Sequence, residues 1–448
     1  MNKRTFLNLL ASGAASHMLQ PFSADAANEK LSNWSGNLVY GTDRLTEAAS
    51  VDQVRSFVKS RKKFKVLGTR HCFNSIADSH DEFLSLKPMQ EMAVVGTQNR
   101  MVAVGPGVAY GQLAPFLENK GLALHNLASL PHISVAGAVT TATHGSGEIN
   151  GNLSAAVAEI EMVTGDGDVA KLSRATDTDV FRAAVVGLGA LGVITRVVLD
   201  VQPTYQVRQY VYENLPFAQM RDHFDAIQAS GYSVSLFTDW RKELVNEVWI
   251  KARTDASKPF AAPAEFYGAS LATRNLHPIA ELSAENCTEQ MGKPGPWYDR
   301  LPHFKMGFTP SAGTELQTEY FVPRRNAVDA IMAVARLHEQ VSPLLLITEI
   351  RTIAADELWM SPAYQRPSVT IHFTWKQDWP AVQRVLPVIE RELGPYQPRP
   401  HWGKLFTIPH ADLRARYPKF DDFVKLASKF DAQGRLRNEF LNTNIFAS

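Results

Sequence analysis

Residues 133–147 read ISVAGAVTTATHGSG. Apart from Ile133 and His144 the run is built from Gly, Ala, Ser, Thr and Val, and its summed side-chain volume is low for a core element. Small residues let backbone amides come close to another molecule. Working outward, a strand is expected over 101–104, ending at Gly105-Pro106-Gly107. The helix after it carries Leu113, Phe116 and Leu117 on one face and stops at Gly121, read as a C′ glycine. Downstream, 157–163 and 169–172 flank Gly165-Asp166-Gly167, a hairpin signal. A helix over 179–186 and an apolar strand over 193–201 follow. Upstream, Ser50 and Gln53 have capping-box spacing ahead of the stripe Val51, Val54, Phe57 and Val58. A strand over 64–67 then runs straight into Gly68-Thr69-Arg70-His71.

Between helix and strand stands Gly187-Leu188-Gly189-Ala190-Leu191-Gly192, a literal G-x-G-x-x-G. A dinucleotide fingerprint needs a strand before it and a helix after it, so that phosphate meets a helix N-terminus. Here the order is reversed, which excludes a nicotinamide Rossmann site. The glycines suit a loop passing close to a flat ligand or another strand.

Past Pro203 the character changes. From about 206 to 390, strand-like and helical segments alternate with many aromatics. After Gly394 the chain is Pro-rich, through Pro395, Pro398 and Pro400. Within the second region Glu349 and Arg351 are two apart in an apolar run, and His372 and Thr374 repeat the spacing. Period-two geometry puts each pair on one strand face. Two readings stand: four polar groups aimed into a site, or a solvated face with a surface ion pair.

The chain has 448 residues, enough for two cores, with 45% hydrophobic and 20% charged residues. A net charge of +1 without long like-charge runs gives no sign of a nucleic-acid or polyanion partner; Arg61-Lys62-Lys63 reads as a solvated helix end. Cys72 and Cys287 are distant and nothing pairs them. No Cys pair or His-Glu-x-x-His indicates a metal site. At the N-terminus, Lys3-Arg4 precede a moderately apolar stretch, and Ala24-Asp25-Ala26 is an A-x-A cleavage site. Residues 1–26 are therefore expected to be an export signal to the periplasm, twin-arginine-like with Lys for the first Arg; the alternative is a disordered tail on a cytoplasmic protein. The apolar run is too short to span a membrane.

Nine ordered blocks carry a family resemblance: NWSGN at Asn33, VLGTRHCFN at Val66, LASLPHISVAGAVTTATHGSG at Leu127, YSVSLFTDWR at Tyr232, NCTEQ at Asn286, GPWYDRLPHF at Gly295, TEIRT at Thr348, IHFTW at Ile371 and PHWGK at Pro400. From Asn33 nearly to its end the chain resembles alditol and xylitol oxidases, flavoproteins of the vanillyl-alcohol-oxidase type, with arabinono- and gulonolactone oxidases as close kin. The resemblance implies an α+β, two-domain PCMH-type FAD-binding fold. Residues 33–204 would bind FAD, 205–390 would form a sheet-and-helix substrate (cap) domain, and 391–448 would complete the active site.

The resemblance also implies roles. His71 would be bonded covalently to the flavin, with Gly68, Thr69, Arg70, Cys72 and Phe73 around it. Ser129, Ser134, Gly137, Thr141, Ala142, Thr143 and His144 would contact FAD, as would Gly192, Val193, Ile194 and His401. Hydroxyls and backbone amides in such a run suit phosphate oxygens. Ser129, Glu349, Arg351, Thr374 and Lys404 would bind a small polyol, and Lys404 with His372 would handle the hydroxyl proton. The expected reaction is oxidation of an alditol C1 hydroxyl to the aldose, with O2 reduced to H2O2 by a monomeric enzyme. The rivals are an aldonolactone oxidase or dehydrogenase, which shares the HWGK-type motif, and a flavin-binding protein without turnover.

Overall fold

The computed structural model describes residues 30–96, 98, 100–307 and 315–447. The expected export signal lies outside them.

The N-terminal half is built on two sheets. Strands β1 (Leu45–Glu47), β2 (Lys65–Val66) and β3 (Phe83–Ser85) form a parallel sheet with β3 in the middle. Helix α1 (Val51–Ser60) starts where the Ser50 side chain accepts from the Gln53 amide, and it buries Val54, Phe57 and Val58. Strands β4 (Met92–Val95), β5 (Met101–Val104), β6 (Val157–Thr164), β7 (Val169–Ser173) and β8 (Gly192–Asp200) form an antiparallel sheet in the order β4-β5-β8-β6-β7. The β6–β7 hairpin turns through Gly165–Asp168 with Gly167 at φ +83. Helix α2 (Tyr110–Glu118) ends at Asn119, so Gly121, at φ +71, stands one residue beyond the expected C′ position.

The low-volume run is more than a loop. Val135–Thr140 forms a short helix, α3, that buries Val135, Ala138 and Val139. One face is in the core and the other, with Gly137 and Thr140, lines the cavity, so low volume did not exclude a core role. Helix α4 (Thr178–Val185) precedes the glycine-rich loop and β8 follows it, the order that excludes a Rossmann site.

The second half is a ten-stranded antiparallel sheet. Its main strands are β9 (Gln206–Pro216), β10 (Ser233–Thr238), β11 (Leu244–Arg253), β12 (Glu315–Pro323), β13 (Leu345–Ile353) and β14 (Ser368–Lys376), in the order β9-β11-β10-β13-β14-β12. Residues paired across an antiparallel ladder share a face. Register therefore lines up Glu247, Phe237, Glu349, His372 and Glu319 in one transverse row. On the opposite face Leu236, Val248, Ile250, Ile350, Ile371 and Phe373 are fully buried. Helices α5 (Phe217–Gln228) and α6 (Ala327–Ala335) pack against the sheet, and α7 (Trp379–Leu393) packs on α6. Each such side chain contributes roughly 1.5–3 kcal/mol by leaving water.

The C-terminal segment ties to both halves. Arg399–Pro400 pairs with β12, and the His401 amide donates to Glu319 O at 3.0 Å. The chain then returns to the first half: Gly165 donates to Phe430 O at 2.8 Å, and Phe64 donates to Arg435 O at 2.9 Å.

Candidate active site

A cavity of about 750 Å³ is lined by residues from the glycine loops, the sheet and the C-terminal segment. One wall is made by 68–73, Ser129, Ser134, Gly137, Thr141, Thr143 and His144, with Leu188 and Gly189. Two glycines of this wall make room for the Ser134 side chain between them. A Cβ on Gly68 would lie 3.0 Å from Ser134 Oγ, and one on Gly137 would lie 2.8 Å from it. Thr69 Oγ1 accepts from the Ser134 amide at 3.2 Å, locking the two loops together.

His71 follows Arg70, which holds φ 62. Its ring stacks on Trp34 with centroids 5.0 Å apart and planes 17° apart. Nδ1 lies 3.0 Å from Thr69 O, which can only accept, so Nδ1 carries the hydrogen. Nε2 is buried and has no hydrogen-bond partner among the described residues. Burial pushes the imidazole down to about 4, so the ring is neutral. Cys72 beside it is a poor nucleophile, because burial pushes its thiol up to about 12. Lys65 is buried against Gly189 O (3.2 Å) and Leu436 O (3.1 Å).

The other wall is the polar row of the sheet. Glu319 is its hub. Oε1 accepts from Arg351 Nη2 at 2.9 Å and Oε2 from Lys404 Nζ at 2.6 Å. His144 Nε2 lies 3.1 Å from Oε1 at ion-pair distance, without hydrogen-bond geometry. Burial raises the Glu319 carboxyl, but Lys404, His144 and Arg351 outweigh it and hold the group well below the usual carboxylate range. Lys404 Nζ also lies 2.6 Å from His372 Nδ1, and His372 Nε2 lies 3.1 Å from Thr374 Oγ1. Burial and then Lys404 push His372 down to about 4. Lys404 itself is lowered by burial, with Glu319 opposing and Arg351 adding to the shift. Arg351 Nη1 reaches Ser129 Oγ at 3.5 Å, and His303 Nε2 lies 2.8 Å from Glu349 Oε1.

The structure thus brings Ser129, Glu349, Arg351, His372, Thr374, Lys404 and His401 to one cavity with the 68–73 loop. Ala142, Gly192, Val193 and Ile194 are not among the lining residues, although Ala142 stands between Thr141 and Thr143, which are. Ala142 is wholly buried in the core, Gly192 pairs with Thr164 in the sheet, and Val193 and Ile194 pack inside. The loop's approach to the cavity is made instead by Leu188 and Gly189, at φ 53 and +66. Sequence reasoning did not find Glu319, Trp34 or His303. For Glu319 a signal existed, since Gln317 and Glu319 repeat the period-two pattern. Donor atoms of His144, Glu319 and His401 lie within 4.8 Å of one another. Arg351 and Lys404 already compensate that carboxylate, which disfavours a cation there.

Residues 43–173 match the FAD binding domain family, and residues 313–444 match the D-arabinono-1,4-lactone oxidase family. The alditol oxidase of a Streptomyces species is 45% identical over 414 residues, covering 92% of this chain and 98% of that protein. The chain belongs to the alditol oxidase family. It is an FAD-dependent oxidoreductase with the vanillyl-alcohol-oxidase type of fold. More distant relatives are the L-gulono-1,4-lactone dehydrogenase of Mycobacterium tuberculosis (26% identical, covering 91% of this chain and 97% of that one) and the L-gulonolactone oxidase of Bos taurus (24%, covering 92% and 97%). The crystal structure of cholesterol oxidase from B. sterolicum shares the fold at TM-score 0.74 and 14% identity, covering 92% of this chain and 96% of that one.

The wall chemistry of this alditol oxidase family member fits FAD. A buried, unpartnered His71 nitrogen, two glycines that give Ser134 Oγ its room in the wall and a series of hydroxyls suit a flat, phosphate-bearing ligand. Among the described residues, no helix is long and apolar enough to cross a membrane.

Proposed function

We propose that the protein oxidises the terminal C1 hydroxyl of an alditol such as xylitol or sorbitol to the aldose, with O2 as the electron acceptor and H2O2 as the by-product. The supporting observation is the buried polar row itself: Glu349, Arg351, His372, Thr374, Lys404 and Ser129 converge on one cavity beside the 68–73 loop. Each hydroxyl of a polyol both donates and accepts, and this set supplies both kinds of partner. Unsatisfied, these groups are costly, so the site also rejects alcohols too short to meet them.

FAD held along the wall of 68–73, Ser134, Gly137, Thr141, Thr143 and His144 would supply the hydride acceptor and the route for electrons to oxygen. The protein's part is to hold the polyol and remove the hydroxyl proton. Ser129, Thr374 and Lys404 hold the reacting end; Glu349 and Arg351 receive hydroxyls farther along. Lys404 in its neutral form takes the proton, and His372 Nδ1, 2.6 Å away, shares it. Burial favours that neutral amine, and Glu319 orients it.

His71 carries the flavin covalently in this reading. Flavin colour should stay with the protein after acid precipitation and be released from His71→Ala. Residues 33–204 act as the FAD unit, 205–390 as the cap, and 391–448 complete the site. Residues 1–26 direct export, and the enzyme works as a monomer.

Anaerobic flavin bleaching tests the substrate class. Xylitol or sorbitol should bleach rapidly and L-gulono-1,4-lactone should not; the reverse outcome moves the protein to lactone chemistry. Admitting air should then restore the colour with one H2O2 per turnover.

A further inference from the structure

Behind Glu349, on the side away from Lys404, stands a second polar chain that the reaction as described does not use. Lys251 projects from β11 and is buried to 1% exposure. An ammonium has three N–H donors and no acceptor; burial lowers Lys251 to about 7 and Glu349 opposes that shift, and the ammonium is the form that can donate to three acceptors at once. Lys251 Nζ meets three acceptors: Leu301 O, Pro302 O at 3.2 Å, and His303 Nδ1 at 3.0 Å. The carbonyls can only accept, so the third N–H is directed at the imidazole. His303 Nδ1 is then an acceptor, and the ring's hydrogen sits on Nε2. Nε2 lies 2.8 Å from Glu349 Oε1 and donates to it. The other tautomer would set a nitrogen lone pair against the carboxylate. Phe237 and Trp249 meet the His303 ring edge-to-face at 5.5 and 5.3 Å, so rotation of the ring is blocked.

The chain has a chemical consequence. Glu349 Oε1 accepts from His303, and Arg351 Nε lies 3.5 Å from it at ion-pair distance, without hydrogen-bond geometry. Among the described residues no hydrogen bond reaches Oε2. The carboxylate is thereby kept ionised with one oxygen occupied and one open as an acceptor. A lysine that only pinned the 301–302 turn to the sheet would need the two carbonyl bonds and not the third.

We propose that Lys251 and His303 form a positioning relay that fixes Glu349 as a hydrogen-bond acceptor, and so sets affinity for alditols whose distal hydroxyls reach it. The inference rests on the reading that Glu349 binds a substrate hydroxyl away from C1.

The test uses the holoenzyme, with xylitol, in steady-state and anaerobic stopped-flow kinetics. Lys251→Met should raise KM roughly 10–100-fold, the range for partners that orient a contacting group, while the limiting rate of flavin reduction changes by no more than about threefold. His303→Gln, whose amide can still donate to Glu349, should keep KM near wild type, and His303→Phe should raise it as Lys251→Met does. A purely structural role would not separate the two His303 variants or split KM from the reduction rate. Wild-type KM in Lys251→Met overturns the relay. If Lys251→Met does not accumulate as a flavoprotein, the His303 pair decides, and equal KM in Gln and Phe overturns it. A wild-type enzyme that xylitol does not bleach overturns the substrate reading itself, whatever the variants do.

Discussion

Lys404 illustrates how much of this chemistry is settled by the surroundings of one side chain. In water a lysine is a poor base near neutral pH. Here burial lowers it, Arg351 lowers it further, and Glu319 at 2.6 Å pulls it back up. Replacing the amine by a methyl in Lys404→Met should slow flavin reduction at saturating xylitol by about 10²–10⁴-fold, the usual share of a positioned base. An unchanged rate would remove Lys404 from the proton's path. Glu319→Gln separates the charge from the position. The carboxylate raises Lys404, so its loss lowers the amine further. The rising limb of the reduction rate should move to lower pH, as read by stopped-flow across pH 5–9. The same substitution removes the buried carboxylate that pairs with Arg351 Nη2 and Lys404 Nζ, leaving Arg351 only Glu349 at 3.5 Å, at a cost of about 3–5 kcal/mol in urea unfolding.

At the scale of elements, the chain shows which patterns carry information without an alignment. The Ser50–Gln53 cap, the β6–β7 hairpin and the strand over 101–104 were legible because capping, turn chemistry and apolar runs are local. Glu349 with Arg351 and His372 with Thr374 were legible as paired faces for the same reason. Their union with Glu319 was not, because β12 is the neighbour of β14 only through long-range pairing. The His303 contact was hidden likewise, since it comes from a loop 46 residues away from Glu349. The 133–147 run misled in the other direction, as small residues were read as unfit for a core that packs them at close range. The glycine-rich loop offers a test at this scale. Gly189 holds φ +66, a region that a β-branched residue resists, and a Cβ there would sit 3.3 Å from Lys65 Nζ. Gly189→Val should therefore lower the flavin content of the purified protein, read from the ratio of visible to ultraviolet absorbance. Its far-UV circular dichroism should stay near wild type. Full flavin content would mean that this loop does not shape the cofactor wall.

At the scale of the whole molecule, the buried imidazoles govern how stability responds to acid. Among the described residues seven histidines are lowered from their ordinary value: His71, His125, His144, His277, His303, His372 and His401. They are spread through both halves and the C-terminal segment, and burial is the leading cause in each. Where the value is given, for His71, His303 and His372, it is about 4. In the unfolded chain these rings protonate near 6.5. Between about 6.5 and 4 the unfolded state therefore binds more protons, and stability falls as pH falls through that window. Three buried acids oppose the trend: burial raises Glu247 to about 7 and Asp356 to about 6, and raises Glu390 as well. Each is raised in the fold and so takes up its proton there at higher pH than in the unfolded chain, which stabilises the fold on acidification. The imidazoles outnumber them, and the net slope keeps the sign of the imidazoles. Below about 4.5, Glu319 and Glu349 add to the loss, because both are held below the usual range in the fold and must take up protons on unfolding. The urea midpoint, followed by tryptophan fluorescence, should thus decline steadily from pH 7 to pH 4. His303→Gln, which removes one of the lowered imidazoles while keeping a donor to Glu349, should make that decline shallower. A midpoint that held constant or rose on acidification would show that the buried acids dominate, and that the histidines of the cavity are protonated in the folded protein.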